Sequence, residues 1–376
     1  MSTEQLDSAR ALVQRVRFAG DQGRSVFGDG TFASSGIRNQ FDEHGLRLSA
    51  EMTPGLYEVL EQVCHRLQIV PTNVLAFVYA SPEIQATCYS GDTRDCLVTL
   101  TSGLIRLMSK QELAFVIGHE LGHFLLGHGR RENTIDGSIE GILRQRSGEI
   151  SADRVGMLAC SSSEAAFRAL IKTSSGLEAS HLRFDLSAYL EQLRGAAKSS
   201  SQVFSESTHP PLTMRCRAML WFEMSDEYAQ ISGGRRGEPL AKVDKRLARE
   251  LKRFVDGPAR KRIADATEVL RLWMTVAAAV RDGMLDKKEQ ELIGEELGQE
   301  TLGKVLAFLS GCESKTEVES VVQGKAQEAA GALVALAPRE YPKQSAVMAE
   351  RIGRVFSQDD FQPFFLEFSG GVVPRF

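Results

Sequence analysis

Two histidines and the glutamate between them, His119, Glu120 and His123, have the types and spacing for metal-assisted hydrolysis. They stand in SKQELAFVIGHELGHFLLGHG, residues 109–129. Histidines four apart on a helix share one face, one turn above the other, so their ring nitrogens converge on a single ion. Zinc takes neutral imidazoles, one more protein ligand and an open position for water. Glu120 leans over the same ion as a general base within hydrogen-bond reach of that water. The His-Glu-x-x-His pattern on a helix therefore points to one Zn2+ per chain and to hydrolytic chemistry.

The helix that must carry these residues is well specified. Ser109 and Glu112 read as a capping box, with Met108 and Leu113 as its hydrophobic staple. Leu113, Ile117, Leu121, Phe124 and Leu125 form an apolar stripe, and the three chemical residues lie off it. Gly127 and Gly129, flanking His128, mark the helix end. Gly118 and Gly122 sit inside the helix at a cost of about 1 kcal/mol each against Ala. Their presence implies that a second, ligand-bearing helix packs very close.

The third ligand is expected in residues 130–161. Its carboxylate candidates are Glu132, Asp136, Glu140, Glu149 and Asp153. Glu149 and Asp153 fit best, four apart on one face of a helix capped by Ser147. One of them binds the ion while the other reaches back to a histidine N–H and fixes its tautomer. Gly156 continues that face and permits close approach to the first helix. His128 is the rival ligand. Five residues after His123, it points well away from the ligand face, and the longer H-E-x-x-H-x-x-G-x-x-H pattern is not met.

The 376 residues are 43% hydrophobic with a net charge of −4, which fits two globular domains and argues against nucleic acid as a partner. The first twenty residues lack an apolar core of a signal peptide. The apolar run 272–280 is far too short to span a bilayer, so no membrane span is expected. Six scattered cysteines without C-x-x-C spacing read as reduced core thiols and a cytoplasmic location.

In chain order, residues 3–18 read as an amphipathic helix, followed to residue 50 by a Gly-rich flap or wrap. A helix over 56–67 precedes a strand at 74–79 and two more near 85–89 and 96–100, around a turn at 91–93. A helical piece follows at 104–107. The sheet is either a plain core sheet or one whose edge holds an extended peptide by strand addition. A helix is expected near 186–193, and His44, His65 and His181 are read as structural. Thr208-His209-Pro210-Pro211 is a stiff, extended entry to a helix at 212–222 and aims the His209 imidazole at a developing oxyanion. Residues 231–241 read as a linker around Ser232-Gly233-Gly234-Arg235-Arg236-Gly237. Beyond it, 242–376 form an all-helical module, with a basic solvated face at 242–262 and helices near 264–281, 287–297, 303–309, 315–337 and 343–354.

Three ordered segments together resemble the M48 family of zinc metallopeptidases, of the CAAX-prenyl-protease and HtpX type. They are His119-Glu120-Leu121-Gly122-His123 with Gly127-His128, then Glu149-Ile150-Ser151-Ala152-Asp153-Arg154-Val155-Gly156, then Ser207-Thr208-His209-Pro210-Pro211-Leu212 with Arg215. The likeness runs over residues 56–223. It implies an α+β, zincin-type (gluzincin) domain at 51–230 with a small β-sheet, followed by the all-α C-terminal domain. It implies that His119, His123 and Glu149 bind zinc and that Glu120 is the catalytic base. Asp153 is then the partner of a ligand histidine, His209 stabilises the oxyanion, and Arg215 supports the site. The chain departs from better-known members in lacking membrane helices and in having Gln85-Ala86-Thr87-Cys88 where an Asn-Ala-Phe-like strand is common. Residues 280–289 resemble, over one turn, TerB-like helical domains; EF-hand ligand spacing is absent.

The expected activity is endopeptidase action on a protein or peptide substrate, with the helical module recruiting a protein partner or gating the site. The rival expectations are a non-catalytic zinc scaffold, a thermolysin-like peptidase, and a latent enzyme whose cleft is covered. An intact Glu120 speaks against a scaffold, because a structural site needs no base and is closed by a fourth ligand.

Overall fold

Gly118 and Gly122 decide how the site-bearing part of the chain is put together. In the computed structural model, a Cβ on Gly118 would lie 2.2 Å from the Ala159 Cβ, and one on Gly122 would lie 2.9 Å from the Val155 Cβ. Only glycine lets the two helices carrying these residues meet so closely, as the sequence implied. The structure describes residues 3–21, 34–90, 96–128, 138–185, 188, 191, 207–234, 236–281 and 285–372. The chain divides into two units, one of Met1–Thr134 and Ile142–Gly257, the other of Ile135–Gly141 and Pro258–Phe376.

The first unit is α+β. In order it contains α1 (Thr3–Val16), α2 (Ser34–His44), β1 (Leu46–Arg47), α3 (Pro54–Arg66), β2 (Val74–Tyr79), β3 (Ala86–Ser90) and β4 (Cys96–Thr101). There follow α4 (Ser102–Leu107), α5 (Lys110–Leu126), α6 (Ile139–Cys160), α7 (Ser163–Ser175), α8 (Leu212–Glu223), α9 (Asp226–Ser232) and α10 (Leu240–Phe254). The strand order is β1-β2-β4-β3, with β2 and β4 parallel and the other pairs antiparallel. Every residue of β4 is buried, as its near-continuous apolar run requires of a central strand. β3, at the edge of the sheet, lies beside α5. The expected turn at 91–93 and most of the expected helix at 186–193 fall outside the described residues.

The core explains the helix packing. Leu6, Ala9, Val13 and Val16 of α1 join Val59, Leu60 and Val63 of α3, and Ile117, Leu121 and Leu125 of α5, in one buried cluster. α5 has the expected capping box, and its end is set by Gly127 in the left-handed region at φ 74°. It is buried more widely than one apolar stripe implies: Ala114, Phe115 and Leu126 are covered too. A helix clad on most sides is a central element.

Two boundaries differ from the sequence reading. Ser147 caps nothing. It lies within α6, and its Oγ donates to the Leu143 carbonyl at 3.2 Å. The Gly-rich stretch before residue 240 separates α9 from α10 inside the first unit. Glu238 N–H donates to the Met224 carbonyl at 2.9 Å, and Gly237 packs so closely on Ser225 that no Cβ fits. α10 buries Leu247 and Leu251 against Met214 and Ala218 of α8. A linker by composition is here a tight connection, and the division into units falls at Gly257–Pro258.

The second unit is helical among its described residues, with α11 (Gly257–Ala279), α12 (Lys287–Leu297), α13 (Gln299–Leu309), α14 (Lys315–Leu336), α15 (Tyr341–Val355) and α16 (Phe361–Phe368). Ala279, Ile293 and Leu302 form a small buried cluster within it. Asp286 and Glu289 are a capping box opening α12; residues 282–284, part of the segment expected to resemble a TerB-like turn, lie outside the described residues. No helix among the described residues is long and apolar enough to cross a membrane. All six cysteines are free thiols, four of them buried.

Candidate metal centre

Where α5 and α6 touch, they bring three ligand side chains together. His123 Nε2 lies 3.0 Å from His119 Nε2 and 3.3 Å from Glu149 Oε1, and His119 Nε2 lies 3.5 Å from Glu149 Oε2. Tetrahedral N and O ligands about 2.0–2.1 Å from zinc stand about 3.3–3.4 Å apart. The three side chains therefore stand close to the spacing a zinc ion requires. A second observation agrees: Glu149 Oε2 is buried with no hydrogen-bond partner. A buried carboxylate oxygen without a hydrogen bond is costly, and a bound ion would lower that cost. Among the described residues, His119, His123 and Glu149 are the one such group of three donors.

Of the other carboxylate candidates, Glu132 and Asp136 lie outside the described residues. Glu140 accepts the Arg339 N–H at 2.9 Å within the second unit, so it serves backbone there. Asp153 reaches back to His119, Oδ1 to Nδ1 at 3.1 Å. Arg215 grips both oxygens of Asp153, from Nε at 2.8 Å and Nη2 at 2.6 Å. The Arg215 Nη2 is also 3.6 Å from Glu149 Oε2.

His209 comes to the same place from the loop before α8. Arg146, one turn before Glu149 on α6, donates Nε to the Ser207 carbonyl at 3.0 Å and holds the start of that loop. His209 Nε2 then lies 3.4 Å from Glu149 Oε2, with Nδ1 3.1 Å from Thr208 Oγ1. Glu120, next to His119, faces β3, which packs beside α5, and the Cys88 backbone there acts on its carboxyl. The chemical face of α5 therefore meets the edge strand. His44, His65 and His181 are exposed.

The charges follow from burial and neighbours. Burial pushes the Glu120 carboxyl above its ordinary range and Glu149 adds to this, while the two imidazoles and Cys88 only partly oppose it. Burial alone would lower His119, but Asp153 and Glu149 push it up to about 10. Burial opposes ionisation of Glu149, yet the imidazoles of His123 and His119 hold it well below its usual range. Asp153 is likewise burdened by burial and held down by Arg215 and His119. Burial lowers His209, so at neutral pH its ring is a neutral hydrogen-bond donor or acceptor.

His128 corrects the sequence reading. It does not point away: its Nδ1 lies 3.0 Å from His123 Nδ1, and its Nε2 lies 2.9 Å from Asp21 Oδ2. Counting along a continuing helix misplaced it, because the helix ends at Leu126 and Gly127 turns the chain back. The His128 N–H then donates to the His123 carbonyl at 2.9 Å. Asp21 was not singled out at all. Its place depends on tethers beyond α1: Phe18 N–H donates to Ser151 Oγ at 3.1 Å, and Ala19 N–H to Asp244 Oδ2 at 2.8 Å.

Comparison with known proteins gives a partial likeness. Residues 51–143 match the family model of peptidase family M48. That segment holds His119, Glu120 and His123 and ends before Glu149, so the match itself does not include the third ligand. An 81-residue stretch is 35% identical to the protein named "Protease HtpX homolog" in Streptococcus pneumoniae (strain Hungary19A-6), and equally to its namesake in Streptococcus thermophilus (strain ATCC BAA-491 / LMD-9). Each alignment covers 21% of this chain and 26% of the relative. The chain thus spans about a quarter of the length of these curated relatives. The resemblance to family M48 is borne out over that stretch.

Proposed function

We propose that the chain is a zinc-dependent endopeptidase of gluzincin type, with His119, His123 and Glu149 as ligands and Glu120 as general base. One observation carries the reading: two imidazole nitrogens and a buried carboxylate converge in one group that could hold a metal ion, beside a glutamate that burial holds above its usual pKa. When bound, the ion supplies Lewis-acid chemistry that makes water a nucleophile near neutral pH. Glu120 takes the proton from the attacking water and passes it to the departing amine, a task suited to a carboxylate with a raised pKa. The neutral His209 ring donates to the oxyanion of the tetrahedral intermediate. Arg215 holds Asp153, and Asp153 holds the His119 ring with Nε2 free for the ion. The edge strand β3 offers unpaired backbone groups to an extended peptide, so an unfolded protein or flexible segment is the substrate class we assign.

The helical second unit is assigned recruitment of a protein partner or gating of this activity. The six free thiols suit a reducing compartment, so a cytoplasmic location forms part of the same reading. The test is cleavage of an unfolded protein by the zinc-loaded chain. Cleavage that a chelator abolishes and added zinc restores supports the proposal. One zinc per chain without cleavage of any unfolded substrate would instead favour a scaffold.

A further inference from the structure

The two ligand histidines are held in different ways. His119 is held directly by Asp153, whose carboxylate is clamped by Arg215. Among the described residues, no carboxylate meets the Nδ1 of His123. In its place stands His128, backed by Asp21, whose two oxygens accept from Arg17 Nε at 3.1 Å and Nη2 at 3.2 Å. Both arms thus end in an arginine-held carboxylate, one of them through an added imidazole.

Binding an ion through His123 assigns the donors in the longer arm. His123 turns Nε2 toward His119 and Glu149, so that nitrogen must keep its lone pair to bind an ion, and the ring proton sits on Nδ1. That proton needs an acceptor, and the nearest is His128 Nδ1 at 3.0 Å. His128 then carries its own proton on Nε2 and donates it to Asp21 Oδ2. With an ion on His123 Nε2, every ring nitrogen then has one role. The arm is built in rather than incidental: the Asp21 side chain is 2% exposed and that of His128 13%. Space for the ring is kept by Gly148 on α6, where a Cβ would stand 3.3 Å from His128 Nδ1 and Cε1.

We propose that His128 and Asp21 are positioning residues for His123, fixing its tautomer and ring so that the stretch just after α1 is a working part of the metal site. This rests on the zinc-binding reading above. Residues that orient a ligand histidine typically govern metal affinity by about 10–100-fold.

The test measures zinc affinity by chelator competition on the full-length chain, with the visible spectrum of the cobalt-substituted protein and the melting temperature of the metal-free protein. His128→Ala is expected to weaken zinc binding by about 10–100-fold and to shift the cobalt bands. His128→Asn, whose amide oxygen again accepts from His123 Nδ1, is expected to recover most of the affinity and the wild-type spectrum. Asp21→Ala is expected to weaken binding less than His128→Ala, and the double variant no more than His128→Ala alone, because Asp21 acts through His128. The exposed His181→Ala serves as the control with unchanged affinity. Wild-type affinity and spectrum in His128→Ala, or additive losses in the double variant, would overturn the proposal. So would a lower metal-free melting temperature with unchanged zinc affinity, which marks a purely structural role. A wild-type chain that binds no zinc would sink the metal reading itself, a different failure.

Discussion

Gly118→Ala tests the packing that brings the ligands together. The added methyl would stand 2.2 Å from the Ala159 Cβ and 3.2 Å from the Gly156 Cα. Carbon atoms at ease sit about 3.5–4.0 Å apart, so α5 and α6 would have to part by more than about 1 Å. Helix propensity favours the substitution by about 1 kcal/mol. Overpacking a close-fitting core costs about 1–3 kcal/mol, and a methyl against a methyl with backbone behind it belongs at the upper end. The net expectation is a loss of about 2 kcal/mol, read as a lower midpoint in urea unfolding of the metal-free protein, with unchanged slope. Zinc affinity should fall as well, because His119 is the next residue and Glu149 lies on the partner helix. Ala159→Gly removes the opposing methyl and costs about 1 kcal/mol alone in helix propensity. In the double variant the 2.2 Å clash is gone, only the milder 3.2 Å approach to Gly156 remains and the propensity changes cancel, so stability should return to within about 1 kcal/mol of wild type, a coupling of about 2–3 kcal/mol. A Gly118→Ala chain more stable than wild type, or a cycle whose effects simply add, would refute the close-packing argument.

Glu149→Ala should abolish stoichiometric zinc binding, measured by metal analysis after gel filtration; a full equivalent retained would remove Glu149 from the ligand set. Zinc uptake at pH 7 should release at least one proton, because His119, held at about 10, must give up a proton to bind the ion. Calorimetry in buffers of different ionisation enthalpy reads this, and zero release would contradict it. In the metal-free chain the raised His119 contributes stability that is fully present below its ordinary 6.5 and lost as pH rises through about 10. Glu149 and Asp153, held down, contribute above their ordinary 4.5 and 3.8 and lose this as pH falls. Melting temperatures across pH should therefore decline on both sides, and a metal-free protein that gains stability from pH 7 to 10 would contradict the His119 environment. His209→Ala should lower kcat by about 10²–10³ with zinc retained; an unchanged kcat would take the oxyanion role from it.

What was legible in the sequence was what local spacing dictates. The capping box at Ser109 and Glu112 is found as read, and helical periodicity also sets His119 beside His123 and lets Asp153 meet His119 from the same helix as Glu149. The interior glycines even announced the second helix. Less legible was what depends on where a helix stops or on distant chain. Ser147 looked like a cap because Ser, Asp and Asn favour helix starts, yet tertiary packing carries α6 back to Ile139. His128 was misjudged because one left-handed glycine replaces a helical count with a reversal. Asp21, 107 residues from its histidine, leaves no local signal of its role. The stretch before residue 240 shows that Gly-rich composition marks a turn without saying whether it joins two units or two helices of one.

Zinc content and cleavage of an unfolded protein, measured side by side for the wild type and Glu120→Gln, put the proposed chemistry to its most direct test. The amide keeps the shape of the side chain but cannot take a proton from water. Both proteins should hold one zinc per chain, and only the wild type should cleave, with the variant slower by about 10²–10⁴-fold. Equal cleavage by the two would contradict Glu120 as the base and place any hydrolysis elsewhere.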